Sequence, residues 1–144
     1  MHFFPLILYS RFPVAQQVFI SEGYCADQGG ILHELGHAIG LNHEQSRPDR
    51  DEYVTIHLEN LANNDDAWRV DQFAPKDNVN YHGIPYDYLS VMHYDAWQGS
   101  NGNGPTIKTK DPRFQNIIGK PKLPSKYDIA MVNAMYKCKG KQKR

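Results

Sequence analysis

An eleven-residue segment, HELGHAIGLNH at positions 33–43, constrains this chain more than any other part of its sequence. His33 and His37 are four residues apart, which places both imidazoles on one face of a helix, close enough to share one ion. Gly40 follows three residues later, and glycine adopts the positive φ of a sharp turn without steric cost. Such a turn brings His43 within reach of the same ion, which a continuing helix does not allow. The spacing therefore predicts a metal site built from three imidazoles.

Glu34 directly follows His33 in the sequence. A carboxylate beside three histidines is typical of a catalytic metal site. Three neutral imidazoles with an open fourth position describe a catalytic rather than a structural zinc site. A single Zn²⁺ per chain, held there, lowers the pKa of a bound water to about 7 and polarises a carbonyl group. Glu34 is placed to take a proton from that water and to pass it to a leaving amine. The residues predict zinc-dependent hydrolysis of peptide bonds.

A second motif, YLSVMHY at positions 88–94, supports the same interpretation. The eleven-residue zinc motif followed by a methionine turn is the signature of the metzincin proteases. Met92 is predicted to lie beneath the ligands as a soft, apolar floor. Chance spacing explains the zinc motif poorly, because five fixed positions recur about once in a few million windows at random composition.

Together, HELGHAIGLNHEQSRPDRD and SVMHY resemble the astacin family of secreted zinc endopeptidases. The resemblance extends over roughly residues 11–138. We expect a leader over residues 1–10, a partial catalytic domain over 11–138 and a basic tail over 139–144. The positions that match the family motifs are His33, Glu34, His37, His43, Glu44, Arg47, Asp49, Arg50, Asp51, Met92 and Tyr94.

The resemblance implies roles for the residues nearest the metal. His33, His37 and His43 correspond to the three zinc ligands, and Glu34 to the general base. Tyr94 corresponds to a tyrosine that ligates zinc in the resting enzyme and swings away to stabilise the tetrahedral intermediate when substrate binds. A phenol is chemically suited to both tasks, since it binds a metal as an anion and donates a hydrogen bond as a neutral hydroxyl.

The resemblance also concerns the surroundings of the site. Glu44 corresponds to a glutamate that meets the mature N-terminus after propeptide removal. Val14–Ile20, a β-branched and aromatic run that predicts a strand, corresponds to an edge strand that pairs with an extended substrate. The charged segment Arg47–Asp51 is assigned to structure, as a rigid turn. Secretion is implied by the family, although the apolar run Phe3–Tyr9 does not make a convincing signal peptide.

The chain departs from the family pattern in its N-terminal part. Most of the family's N-terminal subdomain, a sheet with a long helix, is expected to be absent, and with it the cysteines that bridge to Cys25 and Cys138. We expect two unpaired thiols, with a Cys25–Cys138 bridge as an open alternative. Each lost disulfide would remove about 2–4 kcal/mol of stabilisation. The two together are comparable with the net stability of a whole domain, about 5–15 kcal/mol. An alternative function is therefore an inactive or weakly active fragment that binds zinc or a partner without turnover.

Composition excludes several other classes of function. The 144 residues suffice for one domain with a core. Lys plus Arg number 16 and Asp plus Glu number 16, so no net positive field exists to hold nucleic acid. No apolar run is long enough to span a membrane. Protein or peptide substrates are the expected partners, and the oligomeric state is left open.

The expected fold class is α+β, with an active-site helix and a loop-rich C-terminal subdomain that ends in a helix. Asp27 is a plausible N-cap of the first helix and Gly40 its C-terminal stop. Ser125 and Asp128 form a capping box that begins the last helix. The predicted ranges are a helix over Ile31–Ile39, strands over Tyr53–Leu58 and Thr106–Lys110, helical character over Leu58–Gln72, loops over Asp77–Gly104, and a last-helix face of Ile129, Val132 and Tyr136.

Overall fold

A computed structural model describes residues 27–62 and 65–138. Within these ranges, three α-helices and one two-stranded sheet are joined by long connections and short 3₁₀ turns, which confirms the expected α+β class and the C-terminal helix. The leader, the predicted strand Val14–Ile20, Cys25 and the basic tail lie outside the described residues. The elements are α1 Gln28–Ala38, β1 Val54–Ile56, α2 Asp66–Phe73, β2 Ile107–Thr109 and α3 Lys126–Tyr136.

Helix α1 is defined by the capping residues that the sequence predicts at its two ends. The Asp27 carboxylate accepts a hydrogen bond of 2.8 Å from the backbone N–H of Gly30, so the helix begins at Gln28, three residues before the predicted start. At the other end Gly40 has a φ of +96°. The N–H groups of Gly40 and Leu41 bond back to the carbonyls of His37 and Gly36, both at 2.9 Å. These paired bonds form a Schellman motif, which ends the helix and turns the chain.

The two strands form a short antiparallel ribbon over the main core. Val54 pairs with Thr109 and Ile56 with Ile107, so both strands are shorter than predicted. The predicted helical stretch Leu58–Gln72 divides into a 3₁₀ turn at Leu58–Asn60 and helix α2. The residues between Ala74 and Thr106 contain no helix or strand, as expected. The buried core beside this ribbon consists of Val54, Leu61, Phe73, Tyr86, Ala96, Ile107 and Ile118.

Helix α3 begins with the predicted capping box. The Ser125 hydroxyl accepts hydrogen bonds of 3.0 Å from the N–H groups of Tyr127 and Asp128. The Asp128 carboxylate accepts one of 2.8 Å from the N–H of Ser125. Beyond the helix, Lys137 has a left-handed backbone, and Cys138 is a free, exposed thiol.

The predicted packing face of α3 is wrong in two of its three positions. Ile129 is 54% exposed and Tyr136 is 39% exposed. Asp128 sets the rotation of the helix instead, because its buried carboxylate turns inward to accept hydrogen bonds from Ser90 and Val91. The residues of α3 that pack against the second core cluster are Met131, Val132 and Met135.

None of the α-helices in the described ranges is long and apolar enough to cross a bilayer.

A close backbone approach at Gly119 yields a stability prediction. Its φ is +71°, and a Cβ added there would lie 2.2 Å from the backbone nitrogen of Asp95. Gly83 has the same φ of +71° but has nothing within 4 Å of such a Cβ. Gly83→Ala is expected to cost about 1–2 kcal/mol of unfolding free energy from backbone strain. Gly119→Ala is expected to cost about 1–3 kcal/mol more, from overpacking. Denaturant unfolding of both variants measures the difference, and equal losses would contradict the close approach.

Candidate active site

The structure gathers the three histidines of the zinc motif into one cluster. Their Nε2 atoms are separated by 3.1 Å for His33 and His37, 3.0 Å for His37 and His43, and 3.2 Å for His33 and His43. Among the described residues, these three form a group of His, Cys, Asp or Glu side chains that could hold a metal ion. His33 and His37 project from α1, and the turn at Gly40 brings in His43.

Hydrogen bonds at the far side of the rings determine which nitrogen of two histidines is available. His33 Nδ1 donates to the carbonyl of Val91 at 2.8 Å, and His37 Nδ1 donates to the carbonyl of Leu41 at 2.9 Å. In the neutral rings, Nε2 therefore carries a lone pair that points into the cluster. Facing lone pairs repel one another unless a cation lies between them.

The cluster fits a tetrahedral zinc ion in both spacing and charge. Bonds of 2.0–2.1 Å in a tetrahedron place the donor atoms about 3.3 Å apart. Burial lowers the pKa of His33 and His43, and lowers that of His37 to about 4. The imidazoles are therefore neutral near pH 7, as metal ligands must be.

Glu34 follows His33 on α1 and is only 7% exposed. Its Oε2 atom is buried and has no hydrogen-bond partner among the described residues. Burial raises the pKa of this carboxyl group to about 7. A buried carboxylate oxygen with unused hydrogen-bonding capacity is suited to accept a proton from a small molecule that enters the site.

Met92 packs directly against the helix that carries two of the histidines. It is 2% exposed and lies in a cluster with Leu41 and Val91. A Cβ added to Gly36 would be 2.5 Å from the Met92 sulfur, so a larger residue there would require the Met92 side chain to move. The apolar thioether thus supports α1 between its two histidines.

Asp128 connects the methionine turn to α3. Its carboxylate accepts hydrogen bonds from the Ser90 hydroxyl at 2.6 Å and from the Val91 N–H at 3.0 Å. The carbonyl of the same Val91 accepts from His33. Asp128 therefore helps to hold the ring of His33 in place through Val91. The capping box identifies Asp128 as a helix cap, but nothing in its spacing reveals the contact with residues 90 and 91.

Tyr94 lies beside the cluster, with its ring centroid 4.3 Å from that of His43. Its backbone N–H donates to the side-chain carbonyl of Gln45 at 3.2 Å, and its hydroxyl donates to Gln72 Oε1 at 2.5 Å. Tyr94 can be identified from its motif, whereas the two glutamines cannot. No motif includes Gln72, which is 22 positions from Tyr94 and belongs to a different element.

Glu44 lies behind the cluster as a buried acceptor. Its Oε1 accepts from the Asp87 N–H at 2.7 Å and from the Arg47 guanidinium at 3.4 Å. Burial raises the pKa of Glu44 to about 8, in spite of the nearby Arg47. A cavity of about 250 Å³ adjoins it, lined in part by Asp87 and Asp128. The expected contact with a mature N-terminus stays a prediction.

The charged segment Arg47–Asp51 makes contacts of the kind expected of a rigid turn. Arg47 binds the Asp49 carboxylate with two hydrogen bonds of 2.8 Å. It also donates to the carbonyls of Ile84 and Pro85. Arg50 donates to the carbonyls of Gln45 and Phe73.

The remaining histidines of the described ranges lie apart from the cluster. His93 is buried, donates from Nδ1 to the Tyr94 carbonyl at 2.7 Å and accepts from the Tyr86 hydroxyl at 2.7 Å. His57 pairs with Glu59 at 2.8 Å, and His82 is exposed. All three therefore occupy surface or hydrogen-bonded positions outside the cluster.

Comparisons with known proteins agree with this geometry. The profile of the peptidase family described as Astacin matches residues 10–137. Protein SpAN of Strongylocentrotus purpuratus is 42% identical over 125 residues, which cover 85% of this chain and 20% of that protein. Zinc metalloproteinase nas-34 of Caenorhabditis elegans is 45% identical over 130 residues, covering 88% of this chain and 20% of that protein.

A solved structure shares the fold. High choriolytic enzyme 1, a hatching enzyme zinc-protease from Oryzias latipes, matches with a TM-score of 0.75 and 37% sequence identity. The match covers 86% of this chain and 60% of that one. The chain therefore spans about a fifth of the length of these two curated relatives and about three fifths of the solved chain.

The ligand set generates a prediction for metal affinity. His43→Asn removes one of the three clustered nitrogens, so Zn²⁺ affinity should fall by more than the roughly 10- to 100-fold that loss of an outer hydrogen-bond partner costs. His82→Asn is the matched control, because His82 is exposed and outside the cluster. Competition with a fluorescent zinc chelator measures both variants. Equal affinities in the two variants would contradict the site.

Proposed function

The chain belongs to the astacin family of peptidases, and from that premise we propose that it is a zinc-dependent endopeptidase that hydrolyses internal bonds of proteins. The observation that carries the proposal is the buried carboxylate oxygen of Glu34, which has no hydrogen-bond partner in the described part of the chain and lies on the helix that presents His33 and His37. A site that only stores metal has no need of a buried base beside it.

The three histidines are proposed to bind the metal, and backbone carbonyls orient two of their rings. His33, His37 and His43 are the proposed ligands, and the carbonyls of Val91 and Leu41 keep two of them in the tautomer that exposes Nε2. Zinc supplies Lewis acidity, which makes a water molecule more acidic and polarises the carbonyl of the peptide bond to be cleaved.

Glu34 is the proposed general base. Its Oε2 accepts the proton of the attacking water and then returns that proton to the amine nitrogen that leaves. The rigid helix and the contact between Gly36 and Met92 fix the position of this carboxylate relative to the histidines. Such fixed placement of the reacting groups is a main source of rate enhancement.

Tyr94 is proposed to ligate the metal in the resting enzyme and to donate its hydroxyl hydrogen to the carbonyl oxygen that gains negative charge during the reaction. Its backbone is fixed on both sides, because its N–H bonds to Gln45 and its carbonyl to His93. The phenol ring can then rotate about its own side-chain bonds while the main chain stays in place.

The substrates are proposed to be proteins or peptides, and the site of action to be outside the cell, both on the strength of the family. A formal net charge of zero gives no support to nucleic acid as a partner.

The substitution Glu34→Gln tests the proposal. It keeps the size of the side chain and the three histidines but removes the base, so cleavage of a generic protein substrate should fall by about 10²- to 10⁴-fold. Zinc content, measured by metal analysis, should be unchanged. Addition of a chelator should abolish the wild-type activity, and Zn²⁺ should restore it.

Glu52→Gln is the matched control, because Glu52 is an exposed glutamate of the same chain. It should leave cleavage unchanged. If the wild type cleaves no faster than Glu34→Gln while both bind zinc, the chain is a metal-binding module without turnover.

A further inference from the structure

The side-chain amide of Gln72, at the end of α2, bridges two groups. Its Oε1 accepts the hydrogen bond from the Tyr94 hydroxyl at 2.5 Å. Its Nε2 donates to the carboxylate of Asp71 at 2.7 Å. Both ends of the amide are thus engaged, and the amide plane has one preferred orientation, with oxygen toward Tyr94.

This orientation matters because the Tyr94 oxygen can either donate a hydrogen bond as a phenol or bind a metal as a phenolate. To donate to Gln72 Oε1, Tyr94 must keep its hydroxyl hydrogen. A phenolate that ligates a metal has no hydrogen to donate, and its negative charge faces an acceptor at Gln72. Rotation of the amide would present Nε2 instead, but the bond to Asp71 opposes this rotation.

The end of α2 is hydrogen-bonded to the segment that follows His43. The carbonyl of Gln72 accepts hydrogen bonds from the Gln45 amide at 3.5 Å and the Ser46 hydroxyl at 3.4 Å. The next residue, Phe73, is buried in the core, with its ring centroid 5.9 Å from that of Tyr94. Gln45 also accepts a hydrogen bond from the Tyr94 N–H. The backbones of Tyr94 and Gln72 are therefore both held by the side chain of Gln45.

We infer that Gln72 is a positioning residue for Tyr94, which holds the hydroxyl in its hydrogen-bond-donating position and opposes its use as a metal ligand. The inference rests on the proposed function, in which Tyr94 both ligates the metal and donates to the substrate oxygen. In that cycle, Gln72 stabilises the protonated hydroxyl away from the metal, and Tyr94 then exchanges its hydrogen bond to Gln72 for one to the substrate oxygen.

Replacement of zinc by Cu²⁺ gives a direct readout, because a tyrosinate bound to Cu²⁺ produces a charge-transfer absorption band that a free phenol does not. Gln72→Met removes the acceptor with little change in side-chain length. The ratio of metal-bound to unbound Tyr94, obtained from the band intensity, should rise about 2- to 12-fold relative to the wild type, which is the change in equilibrium that one neutral hydrogen bond makes. In the zinc form, kcat/KM should fall by up to a similar factor, because Tyr94 must leave the metal of the free enzyme before it can donate to the substrate.

Tyr94→Phe is the reference background. The band should be absent there, and Gln72→Met should have no further effect on kcat/KM. Gln72→Asn keeps the amide but withdraws it by one methylene group. It should change the band in the same direction, and it controls for a folding defect in the first variant. An unchanged band in both Gln72 variants overturns the inference, and so does an equal loss of kcat/KM with or without Tyr94.

The two proposals fail in different ways. The Cu²⁺ band is measured whether or not the protein cleaves peptides, so an inactive chain still tests the role of Gln72. If Tyr94→Phe removes the band and lowers kcat but the Gln72 variants match the wild type, only the inference fails. If Tyr94→Phe leaves both the band and kcat unchanged, the role of Tyr94 in the proposed function fails, and the inference fails with it.

Discussion

The buried carboxylate of Asp128 is the point on which the arrangement of the site depends. It accepts hydrogen bonds from Ser90, Val91 and Ser125, which belong to the methionine turn and to the start of α3. A carboxylate buried in this way is stabilised only if its lone pairs are used, and loss of one donor leaves a costly unsatisfied charge. The turn and the helix are therefore fixed relative to each other, and Val91 transmits that constraint to His33.

A second constraint comes from Gln45, whose side chain and backbone lie at the centre of several contacts. The residue is fully buried, and its amide bonds to the carbonyl of Gln72 and the N–H of Tyr94. Its own carbonyl accepts from Arg50. The site is thus assembled from loops and short turns that are held by side chains, rather than from a large sheet. This explains how a described region with one two-stranded ribbon positions its functional groups.

The parts of the site that could be predicted from the sequence are those in which spacing along one element determines the geometry. His33, His37, Gly40 and His43 form a local unit, and the caps at Asp27 and Gly40 follow from their chemistry. The roles of Asp128, Gln45 and Gln72 depend instead on how remote loops meet, and no local pattern encodes that. The predicted face of α3 was wrong for the same reason, since the capping-box pattern does not reveal that Asp128 also accepts hydrogen bonds from the methionine turn.

The separation of these contacts along the chain determines which substitutions can affect the site. The three ligands lie within ten residues of one another, so the segment that carries them closes only a short loop. The bonds that orient them span much longer stretches, 58 residues from His33 to Val91 and 38 from Ser90 to Asp128. The spacing of the three histidines is therefore encoded locally, whereas their orientation depends on remote parts of the folded chain. A substitution near residue 91 or 128 can disturb that orientation while it leaves the helix and the turn intact.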